Sequence, residues 1–148
     1  MSGYSQTHAT KVAATVDDCF AVLVDFEDYP RWSAPVTSCH ILDRGSDGLP
    51  RRVEFALDMT IKTIRYVLEY SFDKPHGATW KLLEGDIKAV EGSYRFEPTD
   101  GGTTATCSQA VDIGFWIPGF IKSTFEAKAL RDSVEEFRVA AEARAGGR

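Results

Sequence analysis

Between Val53 and Phe72 the apolar residues change phase. Val53, Phe55, Leu57, Met59 and Ile61 stand at odd positions; Ile64, Tyr66, Leu68, Tyr70 and Phe72 stand at even ones. Side chains of a β-strand alternate between its two faces, so a single strand with this pattern would turn its apolar set from core to solvent halfway along. A hairpin removes the conflict. With Lys62-Thr63 as a two-residue turn, Ile61 and Ile64 pair across it and both phases share one face. Lys-Thr lacks the Asn-Gly chemistry of the favoured turns, and a bulged or slightly longer turn is the alternative.

The same alternation recurs along the chain. Trp80 and Leu82 precede the turn "EGD", Val90, Tyr94 and Phe96 precede "TDGG", and Ala105, Cys107, Gln109, Val111, Ile113 and Phe115 form the longest clean run. With weaker strands at 4–12 and 36–43, this gives an antiparallel sheet of about six or seven strands, apolar on one face and wet on the other. A helical pattern closes the chain over 118–144. Pro118 suits its first turn, and Phe120, Ala127, Val134 and Ala141 recur every seven residues with Leu130 and Phe137 between them. An amphipathic helix after such a sheet must cover its apolar face, and Ala127 and Ala141 leave space there.

Between the first two strands lies "TVDDCFAVLVDFEDYPRW". Thr15 caps a short helix, Asp17 and Asp18 suit its positive end, and Phe20, Leu23 and Val24 line one side. Tyr29 precedes a proline, which disfavours the helical region and predicts a bend before a second helical turn at 27–33. Two readings of "DFEDYPRW" stand side by side: an ordinary corner, or a set of aromatic anchors in contact with a ligand.

The 148 residues, 43% hydrophobic and 26% charged, fit one globular domain over 1–148, ordered from about 5 to 145. A net charge of −5 disfavours a general electrostatic grip on nucleic acid or anionic lipid. There is no apolar run of membrane-spanning length and no signal-peptide pattern, so stable membrane insertion is not expected and the location expected is cytoplasmic. Cys19, Cys39 and Cys107 are odd in number and widely spaced, which predicts small buried hydrophobes rather than disulfides or a zinc knuckle. His8, His40 and His76 form no metal pattern, and no nucleotide fingerprint or nucleophile elbow occurs. No cofactor or metal is expected, and the oligomeric state is open.

The element order, "DFEDYPRW" after the first helix, and the closing "WIPGFIKSTFEAKALRDSVEEFRVAAE" resemble the START-like (SRPBCC, helix-grip) superfamily over residues 5–145. Within it the resemblance is to the polyketide cyclase/dehydrase and coenzyme Q-binding-type proteins. It implies an α+β helix-grip fold, a curved sheet wrapped around the long C-terminal helix, and a cavity that takes a hydrophobic ligand. The two short helices then close one end of that cavity, with Tyr29, Trp32 and Phe26 as anchors and Asp25, Glu27, Asp28 and Arg31 as a solvated rim.

Alternation places the sheet wall of such a cavity, helix periodicity adds Phe120, Ala127 and Leu130, and Trp32 enters as a lid anchor that the resemblance implies. The candidate ligand-binding residues are Trp32, Phe55, Leu57, Met59, Tyr66, Leu68, Tyr70, Trp80, Tyr94, Gln109, Val111, Ile113, Phe120, Ala127 and Leu130. No Asp, Glu, Lys, Arg or His falls on the inward phase, so no catalytic residue is assigned. Gln109 is the polar exception: a buried amide needs a partner, whether a neighbour, water or a ligand carbonyl. The expected function is binding or carriage of an apolar aromatic, polyketide-like, quinone or lipid molecule. A polyketide cyclase/dehydrase-like enzyme is the alternative, and a protein-interaction module the second.

Overall fold

The computed structural model describes residues 4–60, 62–116 and 128–147. Strand β1 (Tyr4–Val12) leads into helix α1 (Val16–Val24), a 3-10 turn (Phe26–Asp28) and the short helix α2 (Tyr29–Trp32). Strands β2 (Val36–Arg44), β3 (Pro50–Asp58), β4 (Thr63–Asp73), β5 (Gly77–Gly85), β6 (Ala89–Thr99) and β7 (Gly102–Asp112) follow, and helix α3 (Ala129–Gly146) ends the chain. The strands form one antiparallel sheet in the order β1-β7-β6-β5-β4-β3-β2, with α3 packed against β1, β7 and α1. This is the α+β helix-grip arrangement.

The hairpin expected from the phase change exists, but its turn lies earlier. Val53 pairs with Leu68, Phe55 with Tyr66 and Leu57 with Ile64, so both phases share one face. Thr63, however, is already strand and pairs with Asp58; the turn closes where Met59 N–H donates to the Lys62 carbonyl at 2.9 Å. Thr60 takes a φ of 72°, unfavourable for a β-branched residue, and Asp58 Oδ1 accepts its N–H at 2.8 Å. Ile61 lies outside the described residues, and Ile64 pairs with Leu57. The "TDGG" turn forms as its residues dictate: Thr99 pairs with Gly102, and Gly101 supplies a φ of 80°. Register shifts in β2–β3 and at Val67/Leu68 in β4–β5 add curvature to the sheet.

Thr15 caps α1 as expected, accepting from Asp18 N–H at 3.1 Å. Tyr29 differs from expectation: at φ −53°, ψ −41° it is helical despite preceding Pro30. Pro30 occupies the first turn of α2, where a missing N–H forfeits no helical bond. Tyr29 itself is pinned by its hydroxyl, which donates to the Leu23 carbonyl at 2.5 Å.

Helix α3 turns Leu130, Val134, Phe137 and Ala141 inward, the stripe that the seven-residue recurrence marks, and buries Ala140 beside them. The earlier part of the expected helix, from Pro118 through Phe120 and Ala127, lies outside the described residues. Opposite the C-terminal half of α3 the sheet is filled solid. Phe96 and Phe137 stack with planes 3° apart and centroids at 5.6 Å, while Val12, Phe20, Ala105 and Thr103 close around them. Thr103 donates to the Ala14 carbonyl at 2.7 Å, so even the polar group there has its bond.

Candidate functional site

Toward the N-terminal half of α3 the two layers separate and leave a cavity of about 630 Å³. Strand β3 contributes Phe55 and Leu57 to its wall, with Met59 just beyond; β4 contributes Tyr66, Leu68 and Tyr70. Trp80 comes from β5, Tyr94 from β6, Gln109 and Val111 from β7, with Ile113 after it. Trp32 of α2 and Leu130 of α3 face them. Every described member of the candidate set therefore lines one space; Phe120 and Ala127 lie outside the described residues.

Sequence reasoning missed Gln6, which lines the same cavity beside Gln109 in the β1–β7 register. Counting back by twos from buried Val12 reaches Gln6, but the inward positions of β1 are polar, so its alternation carries almost no hydrophobic contrast. Ile87 and Ser33 were missed as well; Ile87 lies in the β5–β6 connection and Ser33 just after α2, outside any strand phase.

The polar centre of the wall is one row of the sheet. Tyr70 pairs with Trp80, Trp80 with Gly92, Gly92 with Gln109 and Gln109 with Gln6. Trp80 Nε1 donates to Gln109 Oε1 at 3.1 Å, two strands away. Gly92 makes this reach possible. A Cβ there would stand 2.6 Å from Trp80 Cζ2 and 2.7 Å from its Nε1, so the indole lies across the glycine backbone. Beyond this row, among the described residues, the β5–β6 ladder ends at Lys81 and Glu91, while β5 continues along β4 to Gly85.

Titratable groups divide by depth. Burial raises the phenol pKa of Tyr66, Tyr70 and Tyr94, and neighbouring phenols and thiols push the same way, so all three are neutral donors near pH 7. The Cys107 thiol is pushed up to about 12 by burial and is likewise protonated. All three cysteines are free and buried, as expected of small hydrophobes. Charged groups do touch the cavity, which alternation did not anticipate; among the described residues they are Asp58 at the end of β3, Lys128 just before α3, and Asp132 and Glu136 in its N-terminal half, all exposed or half-buried at the mouth. Lys128 pairs with Asp132, and Glu136 accepts from Ala34 N–H at 3.1 Å, tying the end of α2 to α3.

"DFEDYPRW" divides between the two readings. Phe26 is fully buried and packs on Tyr70 (4.7 Å) and Phe55 (6.1 Å), a corner anchor rather than a contact of the cavity. Tyr29 and Trp32 line the cavity, with their rings 4.7 Å apart and Trp32 edge-on to Phe137 at 6.1 Å. Arg31 pairs with Asp28 on the solvent side.

Among the described residues, no group of three His, Cys, Asp or Glu could hold a metal ion, and His8 instead meets Glu135 at 3.0 Å. No helix among them is long and apolar enough to cross a membrane. A family model described as polyketide cyclase/dehydrase and lipid transport matches residues 5–145. No curated protein matches significantly. Among solved structures, a START superfamily protein from Mycobacterium smegmatis is 22% identical, with 98% of this chain and 97% of that one covered and a TM-score of 0.75. A protein from Thermus thermophilus is 19% identical over 97% of this chain and 98% of that one, at a TM-score of 0.80. An aromatase/cyclase from a Streptomyces species is 20% identical over 97% and 94%, at 0.77. Likeness at these identities shows a shared fold.

Proposed function

The chain belongs to the polyketide cyclase/dehydrase and lipid transport family of the START-like superfamily, and from that premise we propose that it binds or carries an apolar small molecule in its internal cavity. The classes in view are aromatic, polyketide-like, quinone and lipid molecules. The observation that carries this reading is the division of the wall. Among the described lining residues the buried ones, Ser33 and Cys107 apart, are aromatic and aliphatic, while the charged ones, Asp58, Lys128, Asp132 and Glu136, are exposed or half-buried. Apolar ligand surface entering such a space gains roughly 25 cal/mol per Å² removed from water, and a few polar groups suffice to orient it. A tyrosine or cysteine acting as general base would need to be ionised near pH 7, and the deep tyrosines and Cys107 are held neutral by burial.

Cyclase/dehydrase-like catalysis is the second reading. It is favoured by the hydroxyls of Tyr70 and Tyr94, which line the cavity with no hydrogen-bond partner among the described residues. Native mass spectrometry of protein purified from its source organism, with equilibrium dialysis against the hydrocarbon fluorene, tests the binding reading. A co-purifying apolar molecule, or saturable uptake of fluorene, is expected. An empty protein that takes up no fluorene overturns it. Conversion of the co-purified molecule during incubation would select the catalytic reading.

A further inference from the structure

We infer that Gln109 is the specificity-determining residue of the cavity: its amide nitrogen, oriented by Trp80 across Gly92, selects ligands that present a carbonyl oxygen to the β7 wall. The inference rests on the binding reading above and goes beyond it by naming the ligand group and the atom that receives it.

The orientation follows from donor chemistry. An indole N–H can only donate, so the Gln109 atom 3.1 Å from Trp80 Nε1 must be the amide oxygen. The two Nε2–H donors of a planar amide are then directed away from Trp80. Among the described residues neither has a protein acceptor, although Gln109 lines the cavity and is half-buried.

A second observation points the same way. Tyr70 and Tyr94 are 6% and 7% exposed, line the same cavity, and have hydroxyls without a hydrogen-bond partner among the described residues. Buried donors without acceptors are costly, and several in one space call for a guest that brings acceptors. Trp80 adds its ring face to the wall, 5.6 Å from Tyr70 and 6.0 Å from Tyr94, which suits a flat aromatic guest. A neutral carbonyl on an aromatic skeleton satisfies both demands. Among the described lining residues the one cation is Lys128, which is exposed and paired with Asp132, so a carboxylate reaching the aromatic part of that lining would leave water without a charged partner.

The test uses fluorenone and fluorene, which share a ring skeleton and differ by one carbonyl. Their Kd values, each corrected for water solubility, are measured by equilibrium dialysis on the full chain. Wild type is expected to favour fluorenone about tenfold, the scale of one buried hydrogen bond. Gln109→Leu should bring the ratio near unity. Gly92→Ala changes neither polar group but displaces the indole, and should lower the ratio severalfold by releasing the amide. Trp80→Phe with Gln109→Leu removes both donors, which excludes a carbonyl held by the vacated indole N–H.

A fluorenone preference that persists at its wild-type value in Gln109→Leu and in the double variant overturns the inference. So does a wild type that binds both compounds without preference. If wild type binds neither compound, the binding reading itself has failed, an outcome distinct from loss of selectivity. Should Gln109→Leu fail to fold, Gly92→Ala and Trp80→Phe decide: an unchanged ratio in both refutes the positioning by Trp80.

Discussion

The two ends of the sheet are built from the same kinds of residue and come out differently. At the end that holds the β6–β7 turn, α1 and the C-terminal half of α3, Phe96, Phe137, Val12, Ala105 and Ala141 interlock with almost no exposure. At the end that holds the β3–β4 turn, Leu57, Met59, Ile64 and Ile113 are comparably apolar yet face a cavity of about 630 Å³. Hydrophobicity does not separate the ends; among the described residues, what stands opposite the sheet does. Helix α3 brings Val134 and Phe137 to the closed end, whereas Ala129, Leu130 and Ser133 face the open one. A grip of this kind keeps its stability at one end and its vacancy at the other.

The sharpest way to break that distinction is truncation. Phe137→Ala removes a ring that is 1% exposed and stacked on Phe96, and should cost about 3–5 kcal/mol in urea unfolding. Leu57→Ala, on a half-buried cavity wall, enlarges a space that already exists and should cost about 1 kcal/mol. Equal losses at the two positions would mean the ends are not distinct.

Overfilling probes the same contrast from the other side with a smaller effect. Val134→Phe inserts volume where the side chain is 0% exposed and should destabilise by about 1–3 kcal/mol. Ser133→Phe, one residue earlier and on the cavity, should cost less than about 1 kcal/mol but raise the Kd for fluorene about tenfold or more. If Ser133→Phe instead destabilises as strongly as Val134→Phe and leaves fluorene binding intact, the vacancy does not lie where the ligand is proposed to sit.

The sequence made some of this contrast legible. Alternation records which face each residue occupies, so the walls from β3 to β7 and the inner stripe of α3 could be read residue by residue. Alternation says nothing at element ends. The turn at Met59–Lys62 in place of Lys62-Thr63 depends on Thr60 accepting a positive φ with help from Asp58, a local bargain of backbone and side chain that no periodicity reveals. The charged mouth was missed for a different reason: phase sorts residues into an inner and an outer face, and Asp58, Lys128, Asp132 and Glu136 lie off the apolar phase yet still border the cavity. Gln109 was visible as a polar inward residue, but its tie to Trp80 was not. That bond crosses two strands and requires Gly92, which reads in the sequence as nothing more than a weak strand residue.

The smallest expected effect concerns a polar strap that joins α3 to β1 from the solvent side. Glu135 accepts from Arg138 Nε at 2.8 Å and meets His8 Nε2 at 3.0 Å, while Glu142 accepts from Arg138 and from Ala13 N–H. The hydrogen bond from Arg138, then that of His8, lowers the Glu135 carboxyl pKa to about 2. A carboxyl whose folded pKa lies below its unfolded one adds stability above its ordinary value of 4.5, and that stability fades as pH falls from there toward 2. Because the side chains of Glu135 and Arg138 are 38% and 32% exposed, solvent screening holds the contribution to no more than about 1 kcal/mol. Glu135→Gln should therefore lower the urea midpoint above pH 5, and the two midpoints should converge as pH drops to about 2. A gap that stays constant across this range would show that the strap acts through packing rather than charge. The bonds of Glu142 to Ala13 N–H and Arg138 would then be the polar part of the strap that remains, beside the apolar face of the helix.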